Sequence, residues 1–137
     1  MLRPDARTPQ LNRMSVVPDR ILTVDDSTSI RQLVAASLRE AGYAVVEAGD
    51  GLDALDIAAG ERFALVVTDL NMPRLDGLGL IAALRALPAY RAVPMLMLTT
   101  EASDDMKARG RAAGATGWLV KPFDPQRLLD MAARLLG

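Results

Sequence analysis

The stretch FALVVTD, residues 63–69, is apolar from its start almost to its end and closes on a carboxylate. A strand with one wet face alternates apolar and polar residues, so a continuous run implies burial on both faces. Four other short runs have the same look: RILTV (20–24), YAVVEA (43–48), VPMLMLT (93–99) and TGWLV (116–120). Longer alanine-rich segments with helical spacing separate them. In the first, Ile30, Val34, Leu38 and Ala41 form one stripe, Ser27 stands at the N-cap position, and Gly42 stands where a helix-ending glycine belongs. The last helix opens with Asp124 as cap and Pro125 at its first position. Five strands and five helices in strict alternation predict an α/β doubly wound parallel sheet.

In such sheets ligands bind beyond the carboxyl ends of the strands. The loops at that edge contain Asp25 and Asp26 after the first strand, Asp69 after the third, Thr99 and Thr100 after the fourth and Lys121 after the fifth. Brought together, three carboxylates repel by roughly 4 kcal/mol per pair at an effective dielectric near 20. Helix capping does not account for them all, because Ser27 is the better cap and Asp69 precedes the next helix start at Asp76 by several residues. A hard divalent cation such as Mg²⁺ is the natural partner. With Lys121 it balances the three negative charges, and a phosphoryl group then has a metal, an ammonium and a hydroxyl to hold it while an aspartate attacks.

Composition narrows the chemistry. The 137-residue chain has no cysteine and no histidine, which excludes disulfides, thiol catalysis and imidazole general bases. Its net charge of −1 provides no broad basic face for nucleic acid. Residues 1–19 are polar and proline-containing without a signal-peptide core, and read as a flexible tail ahead of a domain over 20–137, with Met14 an alternative start. No membrane insertion and a cytoplasmic location are expected.

VDDS (24–27), TDLNMPRLDG (68–77), LTTE (98–101) and KPF (121–123) together resemble the response-regulator receiver domain, in the right order across residues 20–136. The resemblance implies a flavodoxin-like sheet of order 2-1-3-4-5, the order that describes single-domain chemotaxis receivers. It makes Asp69 the phosphoacceptor, with Mg²⁺ bound by Asp26, Asp69 and the backbone carbonyl of Asn71, and by Asp25 through water. Thr99 and Lys121 would hold the phosphoryl group, Thr99 and Trp118 would form the switch, and the Lys121–Pro122 bond would be cis. Thr100 departs from the small residue usual at its position.

The implied function is that of a stand-alone two-component response regulator of the CheY-like chemotaxis type. It would take its phosphoryl group from a histidine kinase, catalyse its own phosphorylation and autodephosphorylation, and signal by altered binding to an output protein such as a flagellar switch component. With the chain ending at Gly137, output is expected through the face of the fourth helix, fifth strand and fifth helix. Glycine at position 110 and a shortage of large apolar anchors predict mobility in that fourth helix. A non-chemotaxis phosphorelay remains an alternative, as do an unphosphorylated docking module, an aspartyl-nucleophile phosphatase and a flavodoxin-like nucleotide binder. The last two fit less well: the phosphatase pattern spaces its aspartates by one residue, and the first loop would repel a cofactor phosphate.

Overall fold

The computed structural model describes residues 17–137. Most of the expected tail, and Met14 with it, lies outside the described residues. Five strands, β1 (Arg20–Val24), β2 (Ala44–Ala48), β3 (Leu65–Asp69), β4 (Met95–Thr99) and β5 (Gly117–Val120), alternate with helices α1 (Thr28–Glu40), α2 (Gly51–Gly60), α3 (Gly77–Arg85), α4 (Asp104–Ala113) and α5 (Pro125–Leu136). The strands form one parallel sheet in the order β2-β1-β3-β4-β5, as expected. A short 3-10 turn at Pro88–Tyr90, not anticipated from the sequence, precedes β4.

Helices cover both faces. On one side Val34 and Leu38 of α1 and Leu128 and Ala132 of α5 pack on Ile21, Leu65, Val67, Leu96 and Leu98. On the other, Ala54 and Ala58 of α2 and Leu80, Ile81 and Leu84 of α3 pack on Leu22, Val66, Met95 and Met97. Strands β3 and β4 are buried at every residue, which is what their unbroken apolar sequences require. The edge strands β2 and β5 depart from the two-face burial read for all five: Ala44 and Val120 are exposed, because each strand has a neighbour on one side only.

The helix ends follow local chemistry. Ser27, Asp50, Asp76, Ser103 and Asp124 each accept a hydrogen bond from a backbone N–H in the first turn of the helix that follows. Gly42 closes the α1 end with a φ of +101°, a conformation that would strain any residue with a Cβ.

Candidate functional site

The order 2-1-3-4-5 puts β1 and β3 side by side at the centre, and their connections leave toward opposite faces. A crevice opens there at the carboxyl edge. Asp25 directly follows β1, Asp69 ends β3, and one carboxylate oxygen from each of Asp25, Asp26 and Asp69 lies within 4.8 Å of the others. Asp25 and Asp69 are buried, and Asp26 is exposed. From the end of β5 Lys121 extends its ammonium into the same crevice, donating to Asp69 Oδ1 at 2.8 Å and Asp25 Oδ2 at 3.3 Å. The peptide bond after it, Lys121–Pro122, is cis.

These charges do not balance. Burial pushes the Asp69 carboxyl above its ordinary value; the Lys121 hydrogen bond opposes this, and the charges of Asp25 and Asp26 reinforce it. Burial pulls the Lys121 ammonium down, but the Asp69 hydrogen bond and the charges of Asp25 and Asp69 outweigh it and leave it raised. In an isolated pair both partners would favour their charged forms. Here only the lysine does, because burial disfavours the Asp69 carboxylate more than its one cation favours it, and the like charges of Asp25 and Asp26 add to that.

The donor set fits Mg²⁺. It is a cluster of hard carboxylate oxygens, one of them on an exposed residue, with a charge deficit that a divalent cation corrects. Asp25 is the most committed member. Its N–H donates to Ala48 O at 3.2 Å, and its carbonyl accepts from an Arg31 guanidinium nitrogen at 2.8 Å. Its Oδ1 accepts from Ser27 N at 2.9 Å, and its Oδ2 from Lys121.

Thr99 ends β4 beside this cluster. The β3–β4 register sets Asp69 opposite Leu98, and Thr99 is buried with its hydroxyl accepting from Glu101 N at 3.0 Å. Thr100 and Asn71 are exposed in the loops beyond their strands. Trp118 lies on the α2–α4 side of the sheet, away from the carboxylates. It nonetheless reaches the loop after β4, where its Nε1 donates to Glu101 O at 3.3 Å. Glu101 thus bonds Thr99 through its amide and Trp118 through its carbonyl.

Gly110 has a packing role that its sequence context does not show. The glycine is buried, and a Cβ there would collide with the six-membered ring of Trp118. Glycine lets α4 approach the indole, so it is a packing requirement at this position. Gly110→Ala is expected to cost about 1–3 kcal/mol through overpacking, measured by urea unfolding. Unchanged stability would show that the ring moves aside freely.

Two further residues escaped the sequence. Gly77 opens α3 directly against the end of β3, where a Cβ would overlap the Asp69 carbonyl oxygen. Arg31 holds the acidic loop from α1. Its only sequence signal is its place one turn into α1, where a long side chain folds back toward the helix start.

Comparison with known proteins agrees with this geometry. Residues 21–133 match the response regulator receiver domain family. The Vibrio cholerae chemotaxis protein CheY4 superposes with a TM-score of 0.86 at 48% identity, covering 88% of this chain and all of that one. The receiver domain of the Pseudomonas aeruginosa sensor histidine kinase PA1611, whose structure has a magnesium ion coordinated in the active site cleft, superposes with a TM-score of 0.82 at 30% identity, covering 88% and 99% of the two chains. The Mycobacterium tuberculosis transcriptional regulatory protein PdtaR is 39% identical over 122 residues, 88% of this chain; the chain spans only 58% of that protein's length. Among the described residues no helix is long and apolar enough to cross a membrane. The chain belongs to the response regulator receiver domain family.

Proposed function

We propose that this receiver accepts a phosphoryl group on Asp69 from the phosphohistidine of a histidine kinase and signals by a changed surface. One observation carries the reading: Lys121 Nζ stands 2.8 Å from Asp69 Oδ1 within a three-carboxylate cluster at the β1–β3 crevice. Asp69 is the nucleophile. Its carboxylate forms the new P–O bond as the P–N bond to the kinase imidazole breaks. Lys121 moves from pairing carboxylates to pairing phosphoryl oxygens, and the Thr99 hydroxyl turns from Glu101 N to donate to them. Asp26, Asp69 and the Asn71 carbonyl would hold Mg²⁺, and Asp25, whose two oxygens already have protein partners, would act through water. A cation held there would supply neutralisation of the charge developing on the transferred group.

Once Thr99 releases Glu101 N, the carbonyl of the same residue is freed to shift from its hydrogen bond with Trp118 Nε1, so the change reaches the α4–β5–α5 face. There Lys107, Trp118, Val120 and Arg127 border an open cleft of about 480 Å³. Similarity to a chemotaxis receiver favours a flagellar switch component as the occupant of this face, in the cytoplasm. Similarity to PdtaR supports a second reading, a receiver in a non-chemotaxis phosphorelay.

Incubation with acetyl phosphate and Mg²⁺ is expected to add one hydroxylamine-labile phosphate, seen by intact-mass spectrometry. Asp69→Asn should take up none. Equal labelling of that variant would refute the assignment. Tighter capture of the phosphorylated protein by a purified flagellar switch component would favour chemotaxis over the second reading, and capture indifferent to phosphorylation would reject it.

A further inference from the structure

We infer that Arg31 is a positioning residue for the cation seat, acting through the main chain of the acidic loop; the inference rests on the Mg²⁺ reading above. Arg31 amide donates to Ser27 O at 2.9 Å, which places it in the first turn of α1. From there its side chain returns to the loop that precedes the helix. One guanidinium nitrogen donates to Asp25 O at 2.8 Å, and Nε donates to Glu47 Oε1 of β2 at 3.2 Å. Glu47 is itself held by Arg39, whose NH1 lies 3.2 Å from Glu47 Oε2 and whose NH2 donates to Val45 O at 2.9 Å.

The contact matters because of the peptide it fixes. Asp25 O belongs to the planar unit that leads into Asp26 N and Cα. Asp25 N, in the preceding peptide unit, is held by Ala48 O, and Asp25 O is held by Arg31. The units on both sides of Asp25 Cα are thus tied, and the one leading to Asp26 has little freedom to rotate. Asp26 is exposed and leaves directly from this plane, so the direction of its carboxylate is set by a residue that never touches it. The pair with Glu47 anchors the arginine to the sheet, and only 18% of its side-chain surface is exposed. A planar guanidinium can serve a carbonyl and a carboxylate at once; an ammonium offers a single point of attachment. Partners behind metal ligands typically carry ten- to a hundredfold of the affinity.

Mg²⁺ titration by calorimetry, with melting in chelator as a fold control, separates the outcomes. Arg31→Ala is expected to weaken Mg²⁺ binding about tenfold while the cation-free protein still melts cooperatively. Arg31→Lys should recover part of the loss, and Glu47→Gln, which loosens the anchor without emptying the loop contact, should show a smaller loss. Arg39→Ala removes a partner of the same Glu47 but not the loop contact, and should bind Mg²⁺ as the wild type does. Wild-type affinity in both Arg31 variants would overturn the positioning role. Equal losses in Arg31→Ala and Arg39→Ala would assign the effect to general loosening of the network. A wild-type protein that binds no Mg²⁺ would instead refute the cation seat itself, and this role with it.

Discussion

Asp69→Asn is expected to melt higher than the wild type in chelator and lower than the wild type in saturating Mg²⁺. Burial raises the folded-state pKa of Asp69, so ionising this group favours the unfolded chain. Its favourable contribution is complete below the unfolded carboxylate value and is lost as pH rises through the folded one. At neutral pH the ionised carboxylate is therefore a net cost. Asparagine removes the charge yet leaves an oxygen for Lys121, which also keeps Asp25 as a partner. About 1 kcal/mol recovered corresponds to a rise of roughly 3–6 °C in a domain of this size. Mg²⁺ reverses the order, because the intact site gains about 2.7 kcal/mol at a hundredfold excess over Kd and the depleted site gains less. Thermal melts with and without the cation test both halves. A variant that melts below the wild type in chelator would show that the Lys121 pair outweighs the repulsion.

The second large effect lies far from the acidic edge. Arg85, the last residue of α3, donates to Tyr90 O at 2.6 Å, Val93 O at 2.7 Å and Arg91 O at 3.2 Å. Through Nε and NH2 it also donates to Gly114 O, at 3.1 and 2.7 Å. One side chain thus satisfies carbonyls in the turn before β4 and at the end of α4. Burial lowers its pKa, although nothing near a guanidinium's range titrates at neutral pH. Arg85→Ala leaves several part-buried carbonyls without a donor and is expected to cost about 3–5 kcal/mol, a large share of a domain's usual 5–15. Arg85→Lys should recover less than half, since a single ammonium cannot span these acceptors. Urea unfolding curves measure both, and a cost below about 1 kcal/mol for the alanine variant would show that water replaces the arginine.

Arg85 also shows where reading the sequence stops. As a basic residue in the last turn of a helix it looks like a partner for the helix dipole, and nothing local announces four carbonyl-bearing residues folded around it. The turn at Pro88–Tyr90 was hidden for the same reason. Its tyrosine is buried because the hydroxyl reaches Ala58 O at 3.0 Å and Glu61 O at 2.6 Å, contacts made across the fold. Strand and helix positions were legible because they depend on local periodicity and caps, as at Ser27 and at Asp124–Pro125. The carboxylate cluster and Lys121 were legible because the topology gathers strand ends at one edge. The role of Gly110 was not, since glycine in a helix looks the same whether it confers freedom or admits an indole.

The central place of β1 bears on how the domain comes into being. Ile21 pairs with Leu65 across the whole of β2 and α2, whereas the β1–β2 ladder needs only α1 between its strands. The first ladder can close early; the second waits for a distant segment and carries the larger loop-closure cost. Asp69 meets Asp25 and Asp26 only when that second ladder closes. Their mutual repulsion therefore falls on the slow, long-range step of folding. Neutralising Asp69 should quicken refolding in chelator, and Mg²⁺ should quicken that of the wild type if the cation enters before the sheet is complete. The group proposed to accept the phosphoryl is also expected to be a brake on the protein's assembly.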